Sequence, residues 1–297
     1  MSTDIQVDPS MLTSGFIRKI EQGMVKEAEV SASSYVRKVM REEGFLRKIL
    51  TPIQITDDQI DRDVNTDKPK IIVDKEPDSK ATYVPFRGKA DNRYYSGSKF
   101  DVFFDVIESD HFHKDIFELK TYNNDIRQII KDNVVKDMQT TEDGRFIQLV
   151  NTLVTGTAQE VSISGGLTSP NIAEASKVLA RVKLPNGCML MNSSTEKEIL
   201  KFPATSVGDT VASKRHLDGF QEGKVHGIRT LVTIKRELVP DNVVYFFAPE
   251  EFLGKFFVLQ DATFYIEHKG HNIMFYTYES IGVGLANVNA CAKITFV

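Results

Sequence analysis

The chain has 297 residues, 41% of them hydrophobic, and a formal net charge of −4. That length supports one large domain or two ordinary ones, with ample apolar content for a core. The charge balance lacks the basic footprint of a nucleic-acid-binding domain, and no run approaches the ~18 apolar residues of a membrane span. Cys188 and Cys291 stand far apart among small or apolar neighbours. They read as buried, reduced thiols in a reducing compartment. The first residues carry no positive stretch followed by an apolar one, so they do not read as a signal peptide.

Residues 10–50 read as an N-terminal arm. Ile17, Ile20, Met24 and Ala28, then Tyr35, Val36, Val39 and Met40, fall at helical spacing. Eight Lys/Arg face five Glu between Ile17 and Leu50. A solvated helix face and a mildly basic arm towards nucleic acid both fit, and the solvated face is the simpler. Asp57, Asp58, Asp61 and Asp63 read as a solvated acidic turn, because the glycine and closing Glu of a calcium loop are missing.

Residues 68–107 alternate like a long hairpin. Strands are expected over 70–73, 81–86 and 100–107, with Gly88, Asn92 and Gly97 in the loop. Arg87, Lys89, Arg93 and Lys99 interleave with Phe86, Tyr94 and Tyr95. A single-stranded nucleic-acid platform has such a mixture, as has an extended arm lying on another subunit. The segment's length favours the arm.

The clearest helix follows. Ile126, Ile129, Ile130, Val134 and Met138 repeat at helical spacing, with Arg127, Lys131, Asp132 and Lys136 on the other side. Thr141 to Gly144 either interrupts or extends it. Residues 157–170 are rich in Gly, Ser and Thr and read as a linker. A helix over 171–182, a buried strand over 188–192 and a helix opened by Ser194 and Thr195 give an α/β rhythm. After a loop over 203–226, strands are expected at 229–234, 243–247, 256–259, 263–267 and 272–278. A one-turn helix at 249–254 is expected among them. Eleven of the 28 Phe and Tyr residues lie between Val244 and Tyr278.

The motifs of small-molecule chemistry are missing. There is no glycine-rich phosphate loop, no Gly-x-Ser-x-Gly and no His-Glu-x-x-His. His111 with His113, and His268 with His271, lack a convincing third ligand and read as surface or turn histidines. Glu250 and Glu251 read as acids of a helix N-terminus. The chain is therefore expected to be no enzyme and to need no cofactor.

The order of segments carries a resemblance. Asn124 to Met138 with Glu142-Asp143-Gly144-Arg145-Phe146-Ile147, and Ile172 to Val182 with Leu184-Pro185-Asn186-Gly187-Cys188-Met189-Leu190-Met191-Asn192, are two of its carriers. Val239 to Gly254, Val258-Leu259-Gln260-Asp261 and Gly282 to Phe296 are the others. Together they resemble the major capsid proteins of tailed bacteriophages, the Hong Kong 97-like family, to which encapsulin shells are similar in fold.

The resemblance implies an α+β fold in five parts: an N-terminal arm (1–65), an extended β-hairpin or E-loop (66–106), a peripheral domain with a long spine helix (107–170), an α/β axial domain (171–268) and return strands (269–297). It implies a shell of hexamers and pentamers of this chain around double-stranded DNA. The subunit would be made in the bacterial cytoplasm and end in the virion. Only about fifty residues precede the hairpin. A separate scaffolding protein, or none, is therefore expected, beside a portal and an optional cement protein. Tyr83, Phe86, Arg87, Tyr94 and Tyr95 would contact a neighbouring subunit. Ile126, Ile129, Ile130, Val134 and Met138 would form the core face of the spine helix. An encapsulin-type cargo shell, and a cytosolic α+β enzyme or binding module whose site the sequence hides, stay open beside it.

Overall fold

A computed structural model describes residues 18–20, 22, 24–75, 81–89, 97–115, 117–118, 134–200, 202 and 222–297. Two sheets and the helices between them make the body. The first sheet is built on the antiparallel pair β12 (Gly254–Lys269) and β13 (Asn272–Leu285). Strand β1 (Pro52–Gln54) runs parallel to the start of β12. Strands β5 (Asp105–Glu108) and β6 (Phe112–Asp115) flank β13. Between them Ser109 continues the ladder: its N–H donates to the Thr277 carbonyl and its Oγ accepts the Thr277 N–H.

The open edge of β12 is capped by a helix, α1 (Val25–Glu43). Ser33 Oγ accepts the N–H of Phe264 at 2.9 Å, and Glu29 Oε1 accepts that of Ile266 at 3.0 Å. Two side chains thus satisfy an edge that would otherwise invite another strand. Ala28, Ala32 and Val36, spaced by four, form the buried stripe. The expected strands at 256–259 and 263–267 are one strand, bent by register shifts around Gln260.

The second sheet has the order β7-β14-β11-β8-β10-β9. These strands are β7 (Glu160–Ile163), β8 (Cys188–Asn192), β9 (Glu222–Val225), β10 (Ile228–Thr233), β11 (Val243–Phe247) and β14 (Cys291–Phe296). Its central strands are buried on both faces, hence their unbroken apolar runs. Val243, Tyr245 and Phe247 face the main core, where helix α3 (Lys136–Val154) lies. Val244 and Phe246 face a second core, with Ile172, Val178 and Leu179 of helix α4 (Ser169–Arg181).

These pairings correct the expected division at residue 268. The boundary falls inside the β12–β13 pair, and the last strand joins β11, not β13. The expected arm is also part of the body, since α1, helix α2 (Leu46–Ile49) and β1 all pack into it. The linker over 157–170 contains a strand, β7, drawn out by parallel pairing with β14.

The hairpin is an antiparallel pair, β3 (Pro69–Lys75) and β4 (Ser98–Phe103), with the short β2 (Asp61–Arg62) on its edge. The expected strand over 100–107 breaks at Phe104, where the chain leaves β3 for β13. Ile55, Val102, Phe104 and Phe257 pin the hairpin's base to the first sheet. A Cβ on Gly284 would stand 2.4 Å from Val102 Cγ2, so only glycine lets β4 cross β13 this closely.

Candidate functional site

Two places hold side chains whose arrangement demands an explanation. The first is the hairpin tip. Tyr83 and Phe86 are 95% and 93% exposed. Gly88 N–H donates to the Pro85 carbonyl, closing a tight turn over 85–88. Arg87 takes a φ of 71°, and its guanidinium lies 5.4 Å from the Phe86 ring centre. Burying an aromatic side chain contributes about 1.5–3 kcal/mol. Two of them held almost wholly in water leave that contribution unused within the described chain.

The second place is a buried charge cluster. The Arg47 side chain, 2% exposed, donates from Nε to both oxygens of Glu142 at 3.0 and 3.1 Å. Its other nitrogens reach Glu279 at 2.9 Å and Asp261 at 3.3 Å. One guanidinium therefore ties α2 to α3, β12 and β13. Beside it, Asp143 accepts the N–H groups of Phe45 and Leu46, capping α2 from a distant helix, and Lys235 Nζ binds it at 2.7 Å.

Four carboxylates here face two cations, so the charges do not balance. Burial pushes the Glu142 carboxyl up to about 7 against the pull of Arg47. Burial, and then the charge of Glu142, lift Glu279 well above the ordinary carboxylate range. Burial raises Asp143 too, against Lys235. Burial lowers the Arg47 guanidinium, but Glu142, Glu279 and Asp261 together carry it above its ordinary value. The pull on Arg47 and the rise of its partners point opposite ways. The rise is decisive, because one cation cannot offset three desolvated carboxylates. The Glu142–Glu279 pair therefore holds on to a proton into the neutral range. Glu279 Oε1 is buried with no hydrogen-bond partner in the described structure.

A smaller polar knot joins the second sheet to helix α5 (Ser193–Leu200). Buried Asn192 accepts the Thr195 N–H at 2.7 Å and donates to the Val239 carbonyl and to Asp241. The helix is capped by Asn192, two residues before the expected Ser194 and three before Thr195.

Nothing described resembles a catalytic centre. Among the described residues no group of three His, Cys, Asp or Glu is placed to hold a metal. The His111 ring packs at a tilt against Tyr276, 4.7 Å between centres, and its Nε2 lies 3.1 Å from Glu108. Burial pushes the thiols of Cys188 and Cys291 up to about 12, which leaves them inert. No described helix is long and apolar enough to cross a membrane.

No known protein-family model matches the sequence, and no curated protein matches it. Solved structures do. The virus-like particle from Pyrococcus furiosus aligns over 90% of this chain and 99% of its own, at 16% identity and a TM-score of 0.55. The mature capsid of bacteriophage PhiM1 covers 86% and 87%, at 11% identity and a TM-score of 0.60. A structure from Microbacterium phage Oxtober96 covers 86% and 91%, at 10% identity and a TM-score of 0.61. The chain has a capsid fold. At such identities the likeness is one of backbone course, and every side-chain role rests on the geometry above.

Of the hairpin residues expected at a contact, Phe86 and Arg87 lie on the exposed turn and Tyr83 is exposed just before it, while Tyr94 and Tyr95 lie outside the described residues. Of the expected helix face, Val134 and Met138 are buried, and Ile126, Ile129 and Ile130 lie outside. Helix α3 runs through Gly144 to Val154, so Thr141 to Gly144 extend it. Sequence reasoning missed Arg47, Asp261 and Glu279. Glu279 left one readable signal. Ile273, Phe275, Thr277 and Ile281 alternate onto the buried face of β13, and position 279 shares their parity.

Proposed function

We propose that this chain is the major capsid protein of a tailed bacteriophage, a subunit that assembles into an icosahedral shell around double-stranded DNA. The observation that carries the reading is the match in fold over nearly the whole length of both this chain and the capsid structures. In this reading the peripheral module is α3 with the β1-β12-β13-β5 sheet. The axial module is the six-stranded sheet with α4 and α5. The 66–106 hairpin reaches over an adjacent subunit, burying Tyr83, Phe86, Tyr94 and Tyr95 beside Arg87.

Head-to-tail contacts of this kind close into rings, and many modest ones sum to a stable shell. A net charge of −4 suits a container that must not grip its DNA. A separate scaffolding protein, a portal and an optional cement protein complete the assembly. A second reading, the shell of a virus-like particle with other contents, is favoured by the Pyrococcus furiosus match at 99% of that chain.

Negative-stain microscopy of the purified protein is the test. Closed shells, or rings of five and six subunits, are expected, with polyethylene glycol as crowding agent in place of a scaffold. A uniform monomer at millimolar concentration under crowding would return the chain to the enzyme or binding-module class. Nuclease-protected DNA inside shells formed in cells favours the phage reading, and a specific enclosed protein favours the second.

A further inference from the structure

The capsid reading leaves open where the hairpin tip docks. A groove of about 650 Å³ lies at the base of the same hairpin. Val73 and Phe100 form its hairpin wall and Ile53 and Pro249 its body wall. Ile53 belongs to β1, an edge strand of the first sheet, and is itself substantially exposed. The rim is acidic: Asp74, Glu250 and Glu251 against Lys255. Glu250 is engaged by the N–H and hydroxyl of Thr51, at 2.8 and 2.9 Å, and Asp74 by Lys99 at 3.4 Å. Glu251 has no ion-pair partner among the described residues.

The tip has the opposite character. It offers two exposed rings and two cations, Arg87 and Lys89, neither in an ion pair among the described residues. With Tyr83 and Phe86 almost fully in water, the chain's own groove does not hold its own tip. A tip that lies outside its own groove but matches it in polarity and charge fits one half of a head-to-tail contact.

We propose that this groove receives residues 81–89 of a second copy of the chain, with Tyr83 and Phe86 entering between Ile53 and Phe100 and Arg87 paired to Glu251. The inference rests on the capsid reading and deepens it. Each subunit then carries one plug and one socket at the two ends of a single hairpin. Occupying the socket stiffens the base from which that subunit's own plug extends.

Charge exchange tests the pair. Arg87→Glu and Glu251→Arg should each lower the yield of assembled particles about tenfold or more, the equivalent of 1.4 kcal/mol per contact. Thermal unfolding of the subunit should stay unchanged, since both side chains lie at the surface. The double exchange should restore assembly. Phe86→Cys with Ile53→Cys adds a direct readout. In assembled particles mild oxidation should yield a ladder of linked subunits, and the buried Cys188 and Cys291 should stay unreacted. Normal assembly of both single exchanges, or their failure without rescue, overturns the pairing. Absence of the ladder overturns the docking, as it would if residues 1–17 of the same chain filled the groove. If the unaltered chain does not assemble at all, the capsid reading fails first, and the two failures are distinguishable.

Discussion

The Arg47 cluster and the hairpin tip solve opposite problems. In the cluster, charged groups were taken out of water and must satisfy one another inside a single chain. At the tip, apolar rings were left in water, and nothing in the described chain covers them; in the capsid reading proposed above, another chain does. A buried ion network adds little net stability over an apolar core, but it penalises any other arrangement of the elements it joins. An exposed ring adds little to the stability of the lone chain, and any contribution it makes must come on association. The body is thus specified from within, and the tip is left open.

Breaking the cluster should give the largest effect. Arg47→Met leaves Glu142, Glu279 and Asp261 without their shared cation and should cost about 3–5 kcal/mol in a urea titration. A loss below about 1 kcal/mol would show that the carboxylates rearrange freely and that the cluster specifies nothing. Next comes Asn192→Ala, which removes a helix cap and orphans the Val239 carbonyl. It should cost about 1–3 kcal/mol in the same titration.

Acidity sharpens the contrast further. Glu142 titrates near 7 in the folded chain against an ordinary 4.5, so the folded state binds the extra proton. Its contribution to stability is greatest below about pH 4.5 and is lost as pH rises towards about 7. Glu279 acts in the same direction. Thermal melts across that window should therefore flatten in Glu142→Gln. An unchanged slope would remove the cluster as its source. The smallest effect on the subunit belongs to Tyr83→Ser with Phe86→Ser. It should move stability by less than about 0.5 kcal/mol while particle formation, followed by light scattering, collapses. A large loss of stability there would place the tip in the fold and end the contrast.

Much of the fold was legible because burial wrote itself into local pattern. Cys188 to Met191 and Val243 to Phe247 are unbroken apolar runs, as strands covered on both faces should be. The strand expected over 81–86 is absent: those residues pair with no described strand, and the chain turns at Phe86 and Arg87. Strand β7 was hidden, because Glu160 to Ile163 become a strand only through partners at 293–296. The charge cluster was hidden for a similar reason. Arg47 meets residues 95, 214 and 232 positions away, and no local window spans such distances. The division into modules misled at residue 268 because sequence order does not reveal that the chain's end returns between β7 and β11.

That last strand also sets a schedule. Residues 291–296 sit inside the second sheet and bond to neighbours on both sides. The second sheet therefore closes only once residues 291–296 have been made, long after the strands on either side of them. Until then Val161 and Ile163 have no partner strand and one edge of β11 stands open. Removing residues 291–296 would leave raw strand edges and a breached core, so the latest-made strand is the one that completes the body.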